Sequence, residues 1–188
     1  MAKSQQYFPW ETPPELWRGL KSVPGWQGQV VSIYITPKPS GEMVSVPQVR
    51  AFRDRGLEGD RFFRESWNAA KRPDKAVSLI EEEILKIAAR EIDEPDFADK
   101  SRRNIVTRGV PLIDLLDKEF TIGGVRMRGL RLFEPCPHLV TTSKIPGIFR
   151  TLEHRSGLKC AILSDGLIEV GAAIYLQAEI QNAAAQAG

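Results

Sequence analysis

Glu119-Phe-Thr-Ile-Gly-Gly-Val-Arg-Met-Arg-Gly-Leu-Arg-Leu-Phe-Glu-Pro-Cys-Pro-His-Leu139 reads as two strands that end in a stiff tip. Glu119 to Ile122 and Val125 to Phe133 form a hairpin, because the Gly123-Gly124 pair supplies the positive φ that tight hairpin turns need. The second strand runs directly into Pro135-Cys136-Pro137. Pro135 fixes its own φ, and Pro137 pushes Cys136 out of the helical region, so the thiol rides on a rigid, extended segment. Residues two apart in an extended chain point the same way. If the backbone stays β-like through both prolines, Glu134, Cys136 and His138 share one side, and a carboxylate, a thiol and an imidazole can meet. Read alone, the same thiol is equally a small buried hydrophobe, as most free cysteines are.

Outward from this hairpin the chain keeps the same character. Gln29 to Thr36 has the β-branched alternation of a strand, 37–41 is a turn, and Met43 to Phe52 returns. A glycine-containing loop, Arg53 to Arg61, follows. Asn68 to Asp74 is a polar loop and Lys75 to Leu79 a short strand. From Ile80 the period becomes helical, with Ile80, Ile84, Ile87 and Ala88 on one face, and Pro95 marks the end. Asn104 to Thr107 is a strand, Pro111 to Leu116 a helical turn, and Ile148 to Arg155 a short helix. Leu158 to Leu163, the Asp165-Gly166 turn and Leu167 to Val170 read as a further hairpin, with Ala173 to Gln177 as the last strand. Many short hairpin-linked strands and one substantial helix predict a mainly β domain, closed into a β-barrel with flanking short helices.

Ahead of that domain, residues 1–28 form an arm rich in Trp and Pro, in which Thr12-Pro-Pro-Glu15 reads as a helix start and the aromatics are expected to pack against the domain. The domain itself is expected over 29–178, and residues 179–188 form an Ala/Gln-rich tail.

Bulk properties narrow the function classes. The 188 residues suit one domain. A net charge of +2 is too balanced to indicate a nucleic-acid binder. Cys136 and Cys160 lack any CxxC or Cys/His pairing, so neither a zinc site nor a disulfide framework is indicated. No apolar leader and no membrane-spanning stretch is present, and a reduced, cytoplasmic, non-membrane setting is expected.

Arginines cluster in three places: Arg50, Arg53, Arg55 and Arg61; Arg102, Arg103 and Arg108; Arg126, Arg128 and Arg131. Each cluster alone reads as surface ion pairing. Together with a thiol they suggest more, because the guanidinium fork suits phosphate geometry and positive charge favours the thiolate, which is the nucleophile and metal ligand. Asp54, Glu58 and Asp60 are read as holding their neighbouring arginines, His154 as solvent-facing on a helix, and Cys160 as core.

Three blocks in order, Gly56-Leu-Glu-Gly-Asp-Arg61, Arg103-Asn-Ile-Val-Thr-Arg-Gly109 and Pro135-Cys-Pro-His-Leu139, resemble the MOSC domain family, over about residues 29 to 178. The resemblance implies that family's β-barrel with flanking helices. It also implies a role in sulfur carriage or in binding the molybdenum cofactor, with some members reducing N-hydroxylated compounds. The family's functional cysteine falls on Cys136, which would then ligate the metal; His138, by its spacing to Cys136, is a second candidate catalytic residue. Arg61, Arg103, Asn104, Thr107 and Arg108 match blocks that look like cofactor-side loops. Residues 1–28 do not resemble the pyridoxal-phosphate domain of the full-length sulfurases, so no pyridoxal phosphate is expected on this chain, and a separate sulfur donor or electron-donor protein is implied. The leading expectation is a molybdenum-cofactor reductase component. The alternatives are a persulfide carrier at Cys136, a non-catalytic binding module with a buried cysteine, and, last, a cysteine hydrolase.

Overall fold

The computed structural model describes residues 14–63 and 72–176. In chain order its strands are β1 (Gly28–Ile35), β2 (Val44–Val46), β3 (Gln48–Phe52), β4 (Gly56–Leu57), β5 (Val77–Glu81), β6 (Ile105–Arg108), β7 (Glu119–Ile122), β8 (Val125–Leu132), β9 (Leu158–Ile162), β10 (Gly166–Glu169) and β11 (Ala173–Leu176). The helices are α1 (Glu82–Ile92), α2 (Pro137–Ser143) and α3 (Ile148–Leu152), with single 3-10 turns at Pro14–Leu16, Pro73–Lys75, Asp99–Ser101 and Leu112–Leu115.

Strands β1, β11, β7, β8, β9, β5 and β6 follow one another by hydrogen bonding, and β6 returns to β1, so the sheet closes on itself. Closure removes the unpaired edges that short strands would otherwise expose. The β5–β6 join is parallel and the others in the ring are antiparallel. Parallel neighbours need a crossover, and α1 supplies it. Inside the ring sit Val30, Ile33, Leu79, Ile105, Phe120 and Met127, none more than 1 % exposed. A second apolar cluster, including Ile84, Phe97, Leu139, Ile148 and Leu152, packs the helices on the outer face of β5 and β6. Strand β2 extends β1 beyond the ring, and β3, β4 and β10 form a small second sheet.

Several local expectations shift. Asp165-Gly166 does not turn β9 back on itself: β10 pairs with β3, from Gly166 opposite Ala51 to Glu169 opposite Gln48. Asp165 instead accepts a hydrogen bond from the backbone N–H of Arg53 at 2.6 Å, which carries the chain to the second sheet. Ile80 lies in β5, so the helical phase begins later. The buried face of α1 is Ile84, Leu85 and Ala88, and Ile87 is 41 % exposed. Pro47 divides the returning strand into β2 and β3.

Of the arm, Thr12 lies outside the described residues, and the visible remnant of the expected helix is one turn at Pro14–Leu16. Trp17 is buried in the barrel core and Trp26 packs against it, its Nε1 donating to Asp114 at 3.1 Å. Residues 177–188 lie outside the described residues.

Gly157, just ahead of β9, leaves no room for a Cβ. Its φ is +106°, and an added Cβ would fall on the carbonyl oxygen of Leu79. Gly171 has a φ of +87° but open space around it. Gly157→Ala is therefore expected to destabilise the fold by about 3 kcal/mol or more, combining steric and backbone strain. Gly171→Ala should cost only about 1 kcal/mol, from the left-handed backbone alone. Urea unfolding midpoints of the two variants check the contrast.

Candidate functional site

At one end of the barrel, the loop after β4, the turn before β5, the segment ahead of β6 and the end of β8 enclose a cavity of about 50 Å³. At roughly 10–15 Å³ per water, this is room for a few waters or one tetrahedral oxyanion. Its wall carries four cations, Arg61, Lys75, Arg102 and Lys159, together with Asp60, Asp74, Asn104 and Phe133.

Asp60 organises the first loop through neutral donors. Its Oδ2 accepts from the Thr36 N–H at 2.9 Å and from Asn104 Nδ2 at 3.3 Å, and its Oδ1 accepts from the Phe62 N–H at 2.9 Å. Asn104 continues the bracing: Oδ1 accepts from the Ser78 hydroxyl at 2.9 Å, and Nδ2 donates to the Tyr34 carbonyl at 3.2 Å. Arg61 lies over the Phe62 ring at 4.5 Å and the Lys75 ammonium approaches the same ring at 5.3 Å.

Arg102 has a left-handed backbone, φ 59°, and donates Nη1 to the Gly41 carbonyl at 2.9 Å. Its Nε and Nη2 are buried, and neither has a hydrogen-bond partner among the described residues. Burial, then the like charge of Arg61, lowers its pKa, with Asp60 opposing. Leaving charged donors unpaired is costly unless something arrives to accept from them.

Lys159 comes from β9, where its neighbours Leu158 and Cys160 are fully buried. Its ammonium lies over the Phe133 ring at 4.2 Å and 3.9 Å from Asp74. Burial, reinforced by Arg131, pushes its pKa down to about 8, with Asp74 opposing and Arg103 and Lys75 adding to the depression. Asp74 accepts from Arg72 at 3.1 Å and from Arg131 at 3.3 Å. Burial alone would raise its pKa, but those two guanidinium groups and Lys159 hold it below the usual carboxylate range.

Behind Phe133 stands Arg103, 3 % exposed, with its guanidinium 3.7 Å from the ring centre. Nε donates to the Ser156 carbonyl and Nη1 to the Ser101 carbonyl, both at 2.7 Å, and Nη2 donates to the Ser156 hydroxyl. Burial brings its pKa down to about 9, partly countered by Cys136 and Glu134, so it remains a cation at neutral pH facing both.

Cys136 is exposed and extended, φ −130° and ψ 163°, as the flanking prolines require. The extended run stops there. Pro137 opens α2 as its first residue, where its fixed φ suits a helix and its missing N–H costs nothing. His138 is consequently carried on that helix, exposed, and is not the partner of Glu134. That partner is His154, which follows α3 with φ 59°: its Nδ1 is 2.7 Å from Glu134 Oε1, and its backbone N–H donates to Oε2 at 3.0 Å. An oriented imidazole and the thiol thus flank the same two-residue step of chain.

The structure brings Arg61 and Asn104 into the cavity wall and places Arg103 directly behind it. Thr107 and Arg108 are elsewhere. Thr107 is buried in β6, its hydroxyl donating to the Ile80 carbonyl at 3.3 Å. Arg108 forks onto Glu82 at 2.6 and 3.0 Å, an exposed pair that holds Glu82 at about 2. Both continue a strand that leads away from the cavity. Lys159, Asp74, Lys75 and Phe133 escaped the sequence reading; a single lysine within Leu158-Lys-Cys-Ala-Ile-Leu163 was the available signal, since lysine is rarely interior without a reason. Among the described residues no three His, Cys, Asp or Glu side chains stand together as a metal-binding set.

Fold and site together define a class: a closed β-barrel with a cationic cavity at one end and an exposed cysteine on the adjoining segment. The MOSC domain model matches residues 63–175, more than half of the chain, and the protein belongs to that family. Solved structures agree in fold. YuaD from Bacillus subtilis superposes with a TM-score of 0.63 at 16 % identity, over 80 % of this chain and 97 % of its own. YiiM from Geobacillus stearothermophilus gives 0.62 at 19 %, covering 79 % and 74 %, and YiiM from Escherichia coli 0.59 at 19 %, covering 79 % and 69 %. No curated relative matches by sequence. Among the described residues no helix is long and apolar enough to cross a membrane.

Lys159 makes stability depend on pH with a definite sign. Its folded pKa of about 8 lies below the ordinary 10.5, so between those values the unfolded chain binds more protons and folding gains as pH rises. Relative to Lys159→Met, the native protein should gain stability from pH 8 to 10.5, by up to about 1.4 kcal/mol per pH unit. Paired urea titrations across that window measure it, and parallel curves would contradict the burial of a charged lysine here.

Proposed function

We propose that the cavity receives the anionic, phosphate-bearing part of the molybdenum cofactor, that Cys136 supplies a thiolate ligand to the metal, and that the protein reduces N-hydroxylated compounds with electrons from a separate donor protein. The observation that carries this reading is the buried, unpartnered pair of donors on Arg102, in a wall where three further cations converge. A guanidinium fork is suited to two phosphate oxygens, and an ammonium to a third. The residues present therefore fit the group: Arg102, Arg61, Lys75 and Lys159 would hold its anionic end, and Asn104 keeps the loops that carry them in register. When bound, the group supplies two-electron redox chemistry at a metal that accepts thiolate.

Around it, this chain's residues do ordinary work. Pro135 and Pro137 hold Cys136 extended and exposed. Arg103 fixes the Phe133 ring under Lys159 and presents a positive charge to Cys136. His154, oriented by Glu134, is the imidazole available to hold or pass a proton on this segment, in place of His138. Arg103, Thr107 and Arg108 act through position, by bracing the wall and the strand behind it.

A second reading is favoured by the contrast between the two cysteines. Cys136 is exposed, whereas Cys160 is fully buried and burial drives its thiol pKa far up. Cys136 would then carry persulfide sulfur from a sulfur donor to an acceptor. Incubation with a cysteine desulfurase should add one sulfur atom at Cys136 and none at Cys160.

Protein purified from a host that makes the cofactor should contain molybdenum and pterin, and Cys136→Ser should lose at least tenfold in reduction of an N-hydroxylated base by the reconstituted system. Protein without molybdenum or pterin, together with a Cys136→Ser variant as active as the parent, would overturn the reductase reading.

A further inference from the structure

Two carboxylates line the cavity, and they are held in different ways. Asp60 is bound by backbone N–H groups of Thr36 and Phe62 and by the Asn104 amide, all part of the loop framework. Asp74 has no such framework donor among the described residues. Its partners are cations: Arg72 through Nε at 3.1 Å and Nη2 at 3.4 Å, Arg131 through Nη2 at 3.3 Å, and Lys159 at 3.9 Å. Its side chain is 18 % exposed, and Arg131 and Lys159 beside it are 23 % and 14 % exposed, whereas Arg72 is 60 % exposed. The carboxylate therefore sits between Lys159 at the cavity wall and two cations off it, the half-buried Arg131 and the solvent-exposed Arg72. It stands on a single 3-10 turn, Pro73–Lys75, with no buried residue of its own to anchor it.

We propose that Asp74 is a built-in counter-anion: it neutralises Lys159 while the cavity is empty, and a phosphate-class dianion entering the cavity displaces it from Lys159. This rests on the reading of the cavity as an anion site. Arg131 and Arg72, which lie off the cavity wall, give the displaced carboxylate partners to keep, so exchange leaves no charge stranded. Arg102 is not neutralised by Asp74 in the same way; its free donors attract the incoming anion, and Asp74 sets how much charge that anion must bring before it can stay. Two like charges cannot share one set of cations at close range without raising each other's energy. A weakly charged competitor is thereby excluded, and a dianion is admitted.

Titration calorimetry of cofactor-free protein with inorganic phosphate, at constant ionic strength and pH 7, separates the possibilities. Asp74→Asn should bind phosphate at least fivefold more tightly than the parent, and Arg102→Met at least fivefold more weakly. Asp74→Ser, which removes the same charge with a smaller side chain, should match Asp74→Asn and guards against a folding defect in either. Tighter binding by the Asp74 variants supports the proposal. If they bind equally or more weakly while Arg102→Met still loses affinity, Asp74 is a brace for the cations and the proposal is overturned with the anion site intact. If neither the parent nor the Asp74 variants bind phosphate, the proposal fails together with the anion site.

Discussion

A buried guanidinium holds this end of the barrel together. Arg103 ties the segment before β6 to the segment before β9 through Ser101 and Ser156, and lies under the Phe133 ring at the end of β8. Three parts of the chain distant in sequence are fixed by one side chain. Hydrogen bonds from a charged donor are worth about 1.5–3 kcal/mol each, and they also answer the cost of removing that charge from water. Glu134 and Cys136 in turn favour the charged form of Arg103, so the group that fixes the wall also lies beside the segment carrying the thiol.

Barrel closure is what makes such a site possible. The ring of strands supplies rigid ends from which the loops project, and three of the four wall cations, Arg61, Lys75 and Arg102, come from different connections, with Lys159 on β9. Burying cations, and then concentrating them, opposes folding, as the lowered pKa values of Arg102 and Lys159 record. Asp60, Asp74 and the aromatic faces of Phe62 and Phe133 offset that repulsion without filling the cavity. The structure thus carries electrostatic strain where a ligand would relieve it, a pattern common to functional sites.

The barrel itself was legible because its signals are local. The Gly123-Gly124 turn and the alternation in Gln29 to Thr36 each fix an element through nearby residues, and the switch to a helical period was legible too, although the pattern puts it at Ile80, which lies in β5. The partner of β10 was not, since Asp165-Gly166 announces a turn but not the strand to which the chain returns. At the site, the two prolines correctly gave an extended Cys136 but left its exposure open, and the same signal hid α2, because a proline that begins a helix also makes its predecessor extended. The pairing of Glu134 with His154 in place of His138 follows from that helix. The arginine blocks were visible as composition, yet the fate of each depends on tertiary partners: Arg103 spends its donors on backbone carbonyls and a hydroxyl, Arg108 on Glu82, and Arg102 keeps two unspent. No spacing rule distinguishes these three.

The central claim is that Cys136 stands in the positive field of a cavity that attracts anions. Comparing its alkylation by iodoacetate and by iodoacetamide, which differ mainly in charge, measures that field at the sulfur. The ratio of anionic to neutral rate should exceed that of a small uncharged thiol several-fold at low salt and fall as salt screens the cations. A ratio equal to or below that of the free thiol, insensitive to salt, would contradict the account.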